Sequence, residues 1–254
     1  MPIERLLILK RERFNNAELA VSMRIGGLEK FSMIDYPECL SAVVFTNGCT
    51  FCCPFCYNPL LVKYNGEKDQ TLSETGLFQF LESRRGKLDG VVISGGEPTM
   101  QVDLPEFIKK IKALGFLVKL DTNGSNPEML KIILAANLID YLAMDIKADE
   151  ENYGRATGGL VNLDKVKDSV KIIMESNLPY EFRTTCVPGF LNEEIMENMG
   201  QMIAGAEKWY LQNFKSTANL IDKNLIGQPG FTEAEMKKFA VIGKKFVKFC
   251  EVRS

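Results

Sequence analysis

The sequence contains no histidine. This absence excludes Ser-His-Asp triads, Cys-His dyads and metal sites that depend on imidazole ligands. The sequence also lacks an excess of basic residues, because its net charge is −2 at pH 7. The longest apolar run near its start covers only residues 6–9. The charge gives no sign of a nucleic-acid-binding surface, and the run is too short for a signal peptide or a membrane span. We therefore expect a cytoplasmic protein that binds neither nucleic acid nor membranes.

Cysteine, in contrast, is concentrated in one stretch. Four of the seven cysteines stand within residues 48–58, which read GCTFCCPFCYN. Free thiols oxidise and crowded thiolates repel one another, unless a metal or cluster shares their charge. The stretch therefore predicts a metal centre.

Two cysteine spacings are open. A doubled CxxC, formed by Cys49 with Cys52 and by Cys53 with Cys56, suggests zinc. Structural zinc sites usually place their two pairs a dozen or more residues apart, however, so we favour iron. The CxxxCxxC spacing of Cys49, Cys53 and Cys56 supplies three thiolates and leaves Cys52 over as a bystander. With only these three thiolates as ligands, a four-iron cluster would have one iron open to a small molecule.

The rest of the chain alternates apolar runs with amphipathic segments. With 254 residues and 46% hydrophobic content, residues 23–254 suffice for one domain, preceded by an extension over residues 1–22. Six strands alternating with helices predict an α/β fold with a parallel sheet. The predicted strands cover residues 40–45, 91–93, 116–120, 141–146, 180–187 and 209–212. One predicted helix begins near Thr71. The others cover residues 104–114, 127–136, 163–175, 193–206 and, at the end of the chain, 232–249.

Polar motifs follow several of these strands at their carboxyl ends, where the sites of parallel α/β folds gather. Each motif also has a plainer interpretation: a tight glycine turn, an Asx-turn or a solvated charge. Arg183 lies within a strand, so we expect it to point to the cavity mouth and to pair with a carboxylate such as that of Asp145. The motif residues are Gly95, Gly96, Glu97, Pro98, Asp121, Thr122, Asp145 and Lys147.

The cysteine spacing, the aromatic Tyr57 after the third cysteine, and the stretch Ser94-Gly95-Gly96-Glu97-Pro98 together resemble the radical S-adenosylmethionine (SAM) superfamily. The resemblance implies a partial (β/α)6 TIM-like barrel. It also implies a 4Fe–4S cluster that is held by Cys49, Cys53 and Cys56 and whose fourth iron binds SAM. The residues placed beside SAM by this resemblance are Tyr57, Gly95, Gly96, Glu97 and Pro98. The carboxylate of SAM is then a second candidate partner for Arg183, besides that of Asp145.

Within that superfamily, residues 27–59 and the two strand ends Asp121-Thr122-Asn123-Gly124 and Met144-Asp145-Ile146-Lys147 are similar to glycyl-radical-enzyme activating enzymes, most of all to the activating proteins of anaerobic ribonucleoside-triphosphate reductases. The similarity implies an oxidoreductase that takes electrons from flavodoxin or ferredoxin, cleaves SAM and forms a glycyl radical on its partner. It further implies a monovalent cation at Asp121, Thr122 and Asp145, and a catalytic Lys147 near the incoming glycine loop.

One departure from the family pattern concerns histidine. Activating enzymes often have histidine after the third cysteine and another near the ribose of SAM, where this chain has Tyr57 and no histidine at all. Other functions also stay open at this point. One is a radical SAM enzyme acting on another glycyl radical enzyme or on a small molecule, and another is a non-catalytic zinc or iron–sulfur module.

Overall fold

The computed structural model describes residues 22–63, 72–159 and 161–253. Eight strands form one sheet in the order of the chain, from β1 at one edge to β8 at the other. β1 runs antiparallel to β2, and all later neighbours are parallel. The sheet does not close on itself. The strands are β1 (Ile25–Ser32), β2 (Ser41–Thr46), β3 (Gly90–Gly95), β4 (Leu117–Thr122), β5 (Tyr141–Asp145), β6 (Tyr180–Cys186), β7 (Lys208–Asn213) and β8 (Phe249–Arg253).

Helices connect the parallel strands, and five of the seven described begin at a residue whose side chain accepts a capping hydrogen bond. The Ser73 hydroxyl accepts a hydrogen bond from the Gly76 N–H at the start of the first helix, and Thr232 forms a capping box with Glu235 at the start of the last. The helices are α1 (Glu74–Glu82), α2 (Leu104–Ala113), α3 (Pro127–Ala135), α4 (Tyr153–Thr157), α5 (Leu163–Glu175), α6 (Glu193–Met202) and α7 (Glu233–Gly243).

The two faces of the sheet differ in chemistry. The outer face packs against the helices and forms the main apolar core, for example through Ile93 with Leu77 and Phe107. The opposite face, called the inner face below, carries charged side chains in β4, β5 and β6. A small apolar group of Tyr36, Val43, Val92 and Tyr141 packs apart from the main core. The charged side chains of β4, β5 and β6 therefore point away from the helices that cover the outer face.

The six predicted strands correspond to β2–β7, so the predicted parallel α/β fold is confirmed. The prediction of one final helix over residues 232–249 is wrong. α7 ends at Gly243, and Phe249–Arg253 forms an eighth strand parallel to β7. After Gly243 the main chain bonds to the turn that follows α6, because the Gly205 N–H donates to the Phe246 oxygen at 2.8 Å, and the Phe246 ring packs beside Gly200 of α6.

Two further predictions concern residues that lie almost entirely outside the described ranges. The predicted extension over residues 1–22 and the helix start near Thr71 lie outside them, apart from Ser22. None of the helices in the described part of the chain combines the length and the hydropathy that a membrane span requires.

Candidate active site

A cavity of about 1560 Å³ lies at the carboxyl ends of the parallel strands and extends to α7 and β8. Residues 48–58, called the cysteine loop below, form one wall, and the ends of β3–β6 form another. Twelve of the thirteen predicted site residues border this cavity. They are Cys49, Cys53, Cys56, Tyr57, Gly95, Gly96, Glu97, Asp121, Thr122, Asp145, Lys147 and Arg183. The thirteenth, Pro98, begins a short 3-10 helix (Pro98–Met100) and is buried.

Main-chain hydrogen bonds hold the cysteine loop from several sides. The Gly48 and Cys49 N–H groups donate to the carbonyl oxygens of residues 61 and 62, at 2.8 and 3.0 Å. The Cys52 N–H donates to the Thr157 carbonyl at 2.8 Å, which joins the loop to α4. Glu97 N–H donates to the Gly48 carbonyl at 2.8 Å. The loop is therefore fixed without help from its thiols.

Aromatic side chains between the cysteines anchor the same loop. Phe51 and Phe55 are buried and make edge-to-face contacts with Tyr153 and Phe190, at centroid distances of 6.3 and 5.4 Å. Tyr57 stacks on Phe214, and its hydroxyl accepts a hydrogen bond from the N–H of residue 215 at 2.9 Å. Tyr57 thus ties the end of the cysteine loop to the segment after β7.

The four cysteines of the loop do not share one environment. Cys49, Cys53 and Cys56 border the cavity, whereas Cys52 is not among the described residues that line it. Burial raises the pKa of the Cys49 thiol to about 12 and that of Cys53 to about 11. Both thiols are therefore protonated in the metal-free protein at neutral pH, and a bound cluster would have to displace those protons. Within residues 22–63, 72–159 and 161–253, no three cysteine, aspartate or glutamate side chains converge as one metal ion would need.

The glycine pair after β3 packs against the protein's own main chain. A Cβ atom at Gly95 would lie 2.2 Å from the Thr46 nitrogen, and one at Gly96 would lie 2.1 Å from the Gly48 oxygen. Gly95 also has a φ of 114°, in the left-handed region that favours glycine. Glycine is required here so that the turn after β3 can contact the cysteine loop, which is a different reason from close approach to a ligand.

Glu97 is 1% exposed, and its carboxylate is engaged within the protein. Oε1 accepts hydrogen bonds from the Thr99 N–H and from the Thr99 and Thr122 hydroxyls, at 3.1, 2.6 and 2.8 Å. Oε2 accepts from the Asn123 N–H at 2.6 Å. Burial raises the pKa of this carboxyl although these donors oppose the shift. These contacts link the turns after β3 and β4, and the approach of the Glu97 carboxylate to the amine of a ligand stays a prediction.

Charged residues alternate along the inner face of β4–β6. Arg183 donates to Asp145 at 3.0 Å, as the sequence predicted, and also to Asp121 at 3.1 Å. Lys147 donates to the second oxygen of Asp145 at 2.9 Å, and the buried Lys119 to the second oxygen of Asp121 at 2.5 Å. Burial alone would raise the pKa of Asp145, but Arg183 and Lys147 hold it well below its usual range. Both carboxylates are therefore ionised at neutral pH.

Three residues of the site were missed by the sequence analysis. Lys119 lies in a strand that was identified by its apolar neighbours, and its period-two spacing from Asp121 is the signal that could have found it. Asn123 donates its side-chain amide to the Cys49 sulfur at 3.7 Å and to the Thr50 hydroxyl at 2.9 Å. Tyr153 is fully buried, and its hydroxyl is the one buried side-chain polar group without a hydrogen-bond partner among the described residues.

Comparison with known proteins decides the family. Residues 43–202, which contain the cysteine loop and the ends of β3–β6, match the Radical SAM superfamily. The chain belongs to this superfamily. A radical SAM enzyme uses a 4Fe–4S cluster and S-adenosylmethionine, so this enzyme uses both. The radical SAM chain is 31% identical, over 91% of its length and 95% of the relative's, to a Methanocaldococcus jannaschii protein described as a glycyl-radical enzyme activating enzyme.

Other radical SAM proteins are similar over shorter stretches or in fold. Pyruvate formate-lyase-activating enzyme from Listeria monocytogenes is 30% identical over 49% of this chain and 53% of its own. TYW1 with a lysine-pyruvate adduct superposes with a TM-score of 0.59 at 16% identity, over 96% of this chain and 90% of that one. SuiB from Streptococcus suis, bound to S-adenosylmethionine, has a TM-score of 0.62 at 14% identity, over 81% and 48%. These two structures establish the shared fold.

The residues of the radical SAM site fit a cluster better than a monovalent cation. Three thiols border one cavity beside the Asn123 amide, and a four-iron cluster spreads its thiolate ligands more widely than a single ion does. The buried Tyr153, whose ring contacts Phe51 of this loop, has no hydrogen-bond partner for its hydroxyl among the described residues. The cation predicted at Asp121, Thr122 and Asp145 does not fit, because protein donors and cations already engage these side chains.

Proposed function

We propose that the protein is an activating enzyme that forms a glycyl radical on a partner enzyme, and that the partner is an anaerobic ribonucleoside-triphosphate reductase. The observation that carries the activating role is the 31% identity, over 91% of the chain, to the Methanocaldococcus jannaschii protein of that description. The choice of partner has separate support: residues 27–59 resemble the activating proteins of these reductases. Flavodoxin or ferredoxin is the proposed source of electrons.

The proposed cluster ligands are Cys49, Cys53 and Cys56. A 4Fe–4S cluster with bound SAM supplies one-electron cleavage of a carbon–sulfur bond, and hence a radical that can abstract hydrogen. The protein's part is to hold the three sulfur atoms on a loop that main-chain bonds have already fixed. The Asn123 amide beside the Cys49 sulfur orients that ligand and stabilises its thiolate form.

The wall opposite the cysteine loop is proposed to bind SAM. The turn at Gly95 and Gly96 presents main-chain groups to the cavity, and Glu97 keeps that turn in place from behind. Lys147 and Arg183 supply positive charge at the ends of β5 and β6, where they can orient an anionic carboxylate. Tyr57 stands at the cavity rim, directly after the third cysteine of the loop.

The open side of the sheet supports a macromolecular substrate. The cavity of about 1560 Å³ exceeds the ~300–1000 Å³ of common small-molecule pockets. It extends past the cysteine loop to Met236 and Val241 of α7 and to Val252 of β8. A glycine-bearing loop of a partner could therefore enter between α7 and the cysteine loop and reach the reacting group while water is displaced.

The test is anaerobic reconstitution of the protein with iron and sulfide, followed by SAM, dithionite and an anaerobic ribonucleoside-triphosphate reductase. We expect the doublet of a glycyl radical in the electron paramagnetic resonance spectrum. Cys49→Ala, Cys53→Ala and Cys56→Ala should each lower the bound iron and abolish the doublet, because each removes one cluster ligand.

Cys52→Ala is the matched control. It keeps the N–H that donates to Thr157, so the loop fold is retained, and both the iron content and the doublet should persist. Loss of the cluster in Cys52→Ala with its retention in Cys53→Ala would overturn the ligand assignment. SAM cleavage without any doublet on the reductase, but with a doublet on another glycyl radical enzyme, would overturn the choice of partner.

A further inference from the structure

The two carboxylates at the ends of β4 and β5 are surrounded by the protein's own cations. One oxygen of Asp121 accepts from Lys119 at 2.5 Å and the other from Arg183 at 3.1 Å. One oxygen of Asp145 accepts from Arg183 at 3.0 Å and the other from Lys147 at 2.9 Å. Each of the four oxygens thus has a positively charged partner.

This group is rich in positive charge, and its Lys119–Asp121 end is almost closed to water, whereas the Asp145 side chain is 27% exposed at the cavity. The Lys119 side chain is 1% exposed and that of Asp121 9%. Lys119, Arg183 and Lys147 against Asp121 and Asp145 leave an excess of one positive charge. A metal ion bound to these carboxylates would approach an ammonium or guanidinium group within a few ångströms, in a medium that screens their repulsion poorly.

Thr122 is also engaged. Its hydroxyl donates to Glu97 at 2.8 Å and accepts a hydrogen bond from the Gly124 N–H at 3.1 Å. A hard cation binds through several free oxygens, and within the described part of the chain every side-chain oxygen of Asp121, Thr122 and Asp145 already has a partner. The charge that such an ion would bring is already present in the side chains of Lys119 and Arg183.

We propose that Lys119 and Arg183 take the place of a monovalent metal ion, so that SAM binding by this protein does not depend on Na⁺ or K⁺. Lys119 is the positioning residue in this arrangement. It holds Asp121 from the interior of the sheet, and Asp121 in turn orients Arg183 toward the cavity. The inference rests on the proposed SAM site and is independent of the identity of the partner enzyme.

The experiment measures SAM affinity by calorimetry, on the reconstituted protein without any partner. Potassium, sodium, lithium and choline chloride are compared at one ionic strength of about 0.1 M, so that general screening is constant. We expect dissociation constants that agree within about twofold across the four salts. An affinity at least roughly tenfold higher in potassium or sodium than in choline would overturn the proposal.

Lys119→Met supplies the complementary test, because it frees one oxygen of Asp121 and removes the excess charge. SAM affinity in this variant should become about tenfold stronger in potassium than in choline. The midpoint of thermal unfolding of the metal-free variant should likewise rise with potassium, which requires no cluster. Lys119→Arg keeps the charge and should stay insensitive in both measurements.

The outcomes separate this inference from the proposed function. Cation dependence of the wild type overturns the inference while SAM binding itself stands. Lack of SAM binding in every salt overturns both. If Lys119→Met does not fold, the comparison of salts on the wild type and on Lys119→Arg still decides, since neither should respond to the cation.

Discussion

Single residues around the cavity act mainly by holding main chain in place. Glu97 uses both carboxylate oxygens in hydrogen bonds within the protein, and a Cβ atom at either glycine before it would meet the protein's own main chain. The turn after β3 and the cysteine loop touch through main-chain atoms, and Glu97 N–H donates to the Gly48 carbonyl. The fit between these two segments therefore decides where the thiols stand.

Gly96→Ala tests this contact. The added Cβ would lie 2.1 Å from the Gly48 oxygen and 2.9 Å from the oxygen of residue 61, so the cysteine loop must shift. We expect the free energy of unfolding of the metal-free protein to fall by about 3 kcal/mol, the upper part of the range for overpacking. Urea unfolding followed by circular dichroism gives the number, and bound iron after reconstitution should fall as well.

Gly159→Ala is the control for that substitution. Among the described residues, chain neighbours aside, no atom lies within 4 Å of a Cβ at Gly159, so the change should stay within about 0.5 kcal/mol. Equal stability of the two variants would mean that the glycine pair is not held by the cysteine loop, and that its role lies in ligand approach instead.

The residue pairs of the site show what a sequence can and cannot predict. The cysteine spacing and the glycine motif locate the site because the residues are close in the chain. The pairing of Asp145 with Arg183 was predicted from the cost of a buried cation, and the two are direct register partners of β5 and β6. Lys119 was missed, because its contact with Asp121 depends on a lysine turning back along its own strand inside a closed interior.

Whole elements were predictable where the apolar pattern was continuous. β2–β7 follow β-branched or apolar runs, which buried parallel strands require on both faces. β8 has only five residues, and Glu251 and Arg253 alternate with apolar ones. The predicted final helix covered only its first residue, Phe249, and the other four were assigned to no element. α4 was missed because it also has five residues. Short elements owe their structure to contacts from elsewhere in the chain.

β8 illustrates such a contact. Arg253 donates to both oxygens of Glu181 at 2.8 and 2.9 Å, and Glu181 is fully buried on the inner face of β6. The Arg253 guanidinium also lies 3.5 Å from the centroid of the Tyr210 ring. The last strand is therefore joined to the sheet by one charged side chain as well as by its hydrogen bonds to β7.

Arg253→Met should detach this strand. It leaves the Glu181 carboxylate buried without its cation, which costs about 3 kcal/mol of unfolding free energy, the lower end for such pairs because Arg253 is partly exposed. Hydrogen exchange should accelerate at the amides of residues 249–253. Adding Glu181→Gln should restore part of the loss, since the unpaired charge is then removed.

Lys248→Met provides the comparison at the other end of the same connection. Lys248 pairs with Glu207 while both side chains are more than half exposed, so its loss should cost under about 1 kcal/mol. If the two variants are equally stable, the interaction between Arg253 and Glu181 does not hold β8.

At the scale of the whole molecule, the two ends of the cavity have different proposed roles, cofactor binding at one and access of a macromolecular substrate at the other. The cluster and SAM are proposed to occupy the end of the cavity beside the cysteine loop, where every predicted ligand stands. The other end, beside α7 and β8, borders no predicted cofactor residue. Substitutions at that end should therefore affect a macromolecular substrate while SAM chemistry continues.

Val241→Trp on α7 tests whether SAM cleavage and access of the partner depend on different ends of the cavity. Val241 borders the cavity and is 61% exposed, so a larger side chain can be accepted without repacking the core but narrows the opening. Dithionite-driven SAM cleavage without a partner should stay within about twofold of the wild type, whereas glycyl radical formation on the reductase should slow about tenfold, a steric cost near 1.4 kcal/mol.

Ile132→Trp on α3 is the matched control, because Ile132 is 54% exposed and stands on a helix outside the cavity wall. It should leave both reactions unchanged. Equal slowing of SAM cleavage and radical formation by Val241→Trp would mean that α7 borders the cofactor itself. Unchanged radical formation would mean that the glycine loop enters elsewhere, and the gap between the cysteine loop and α7 would then lose its proposed role as the entrance.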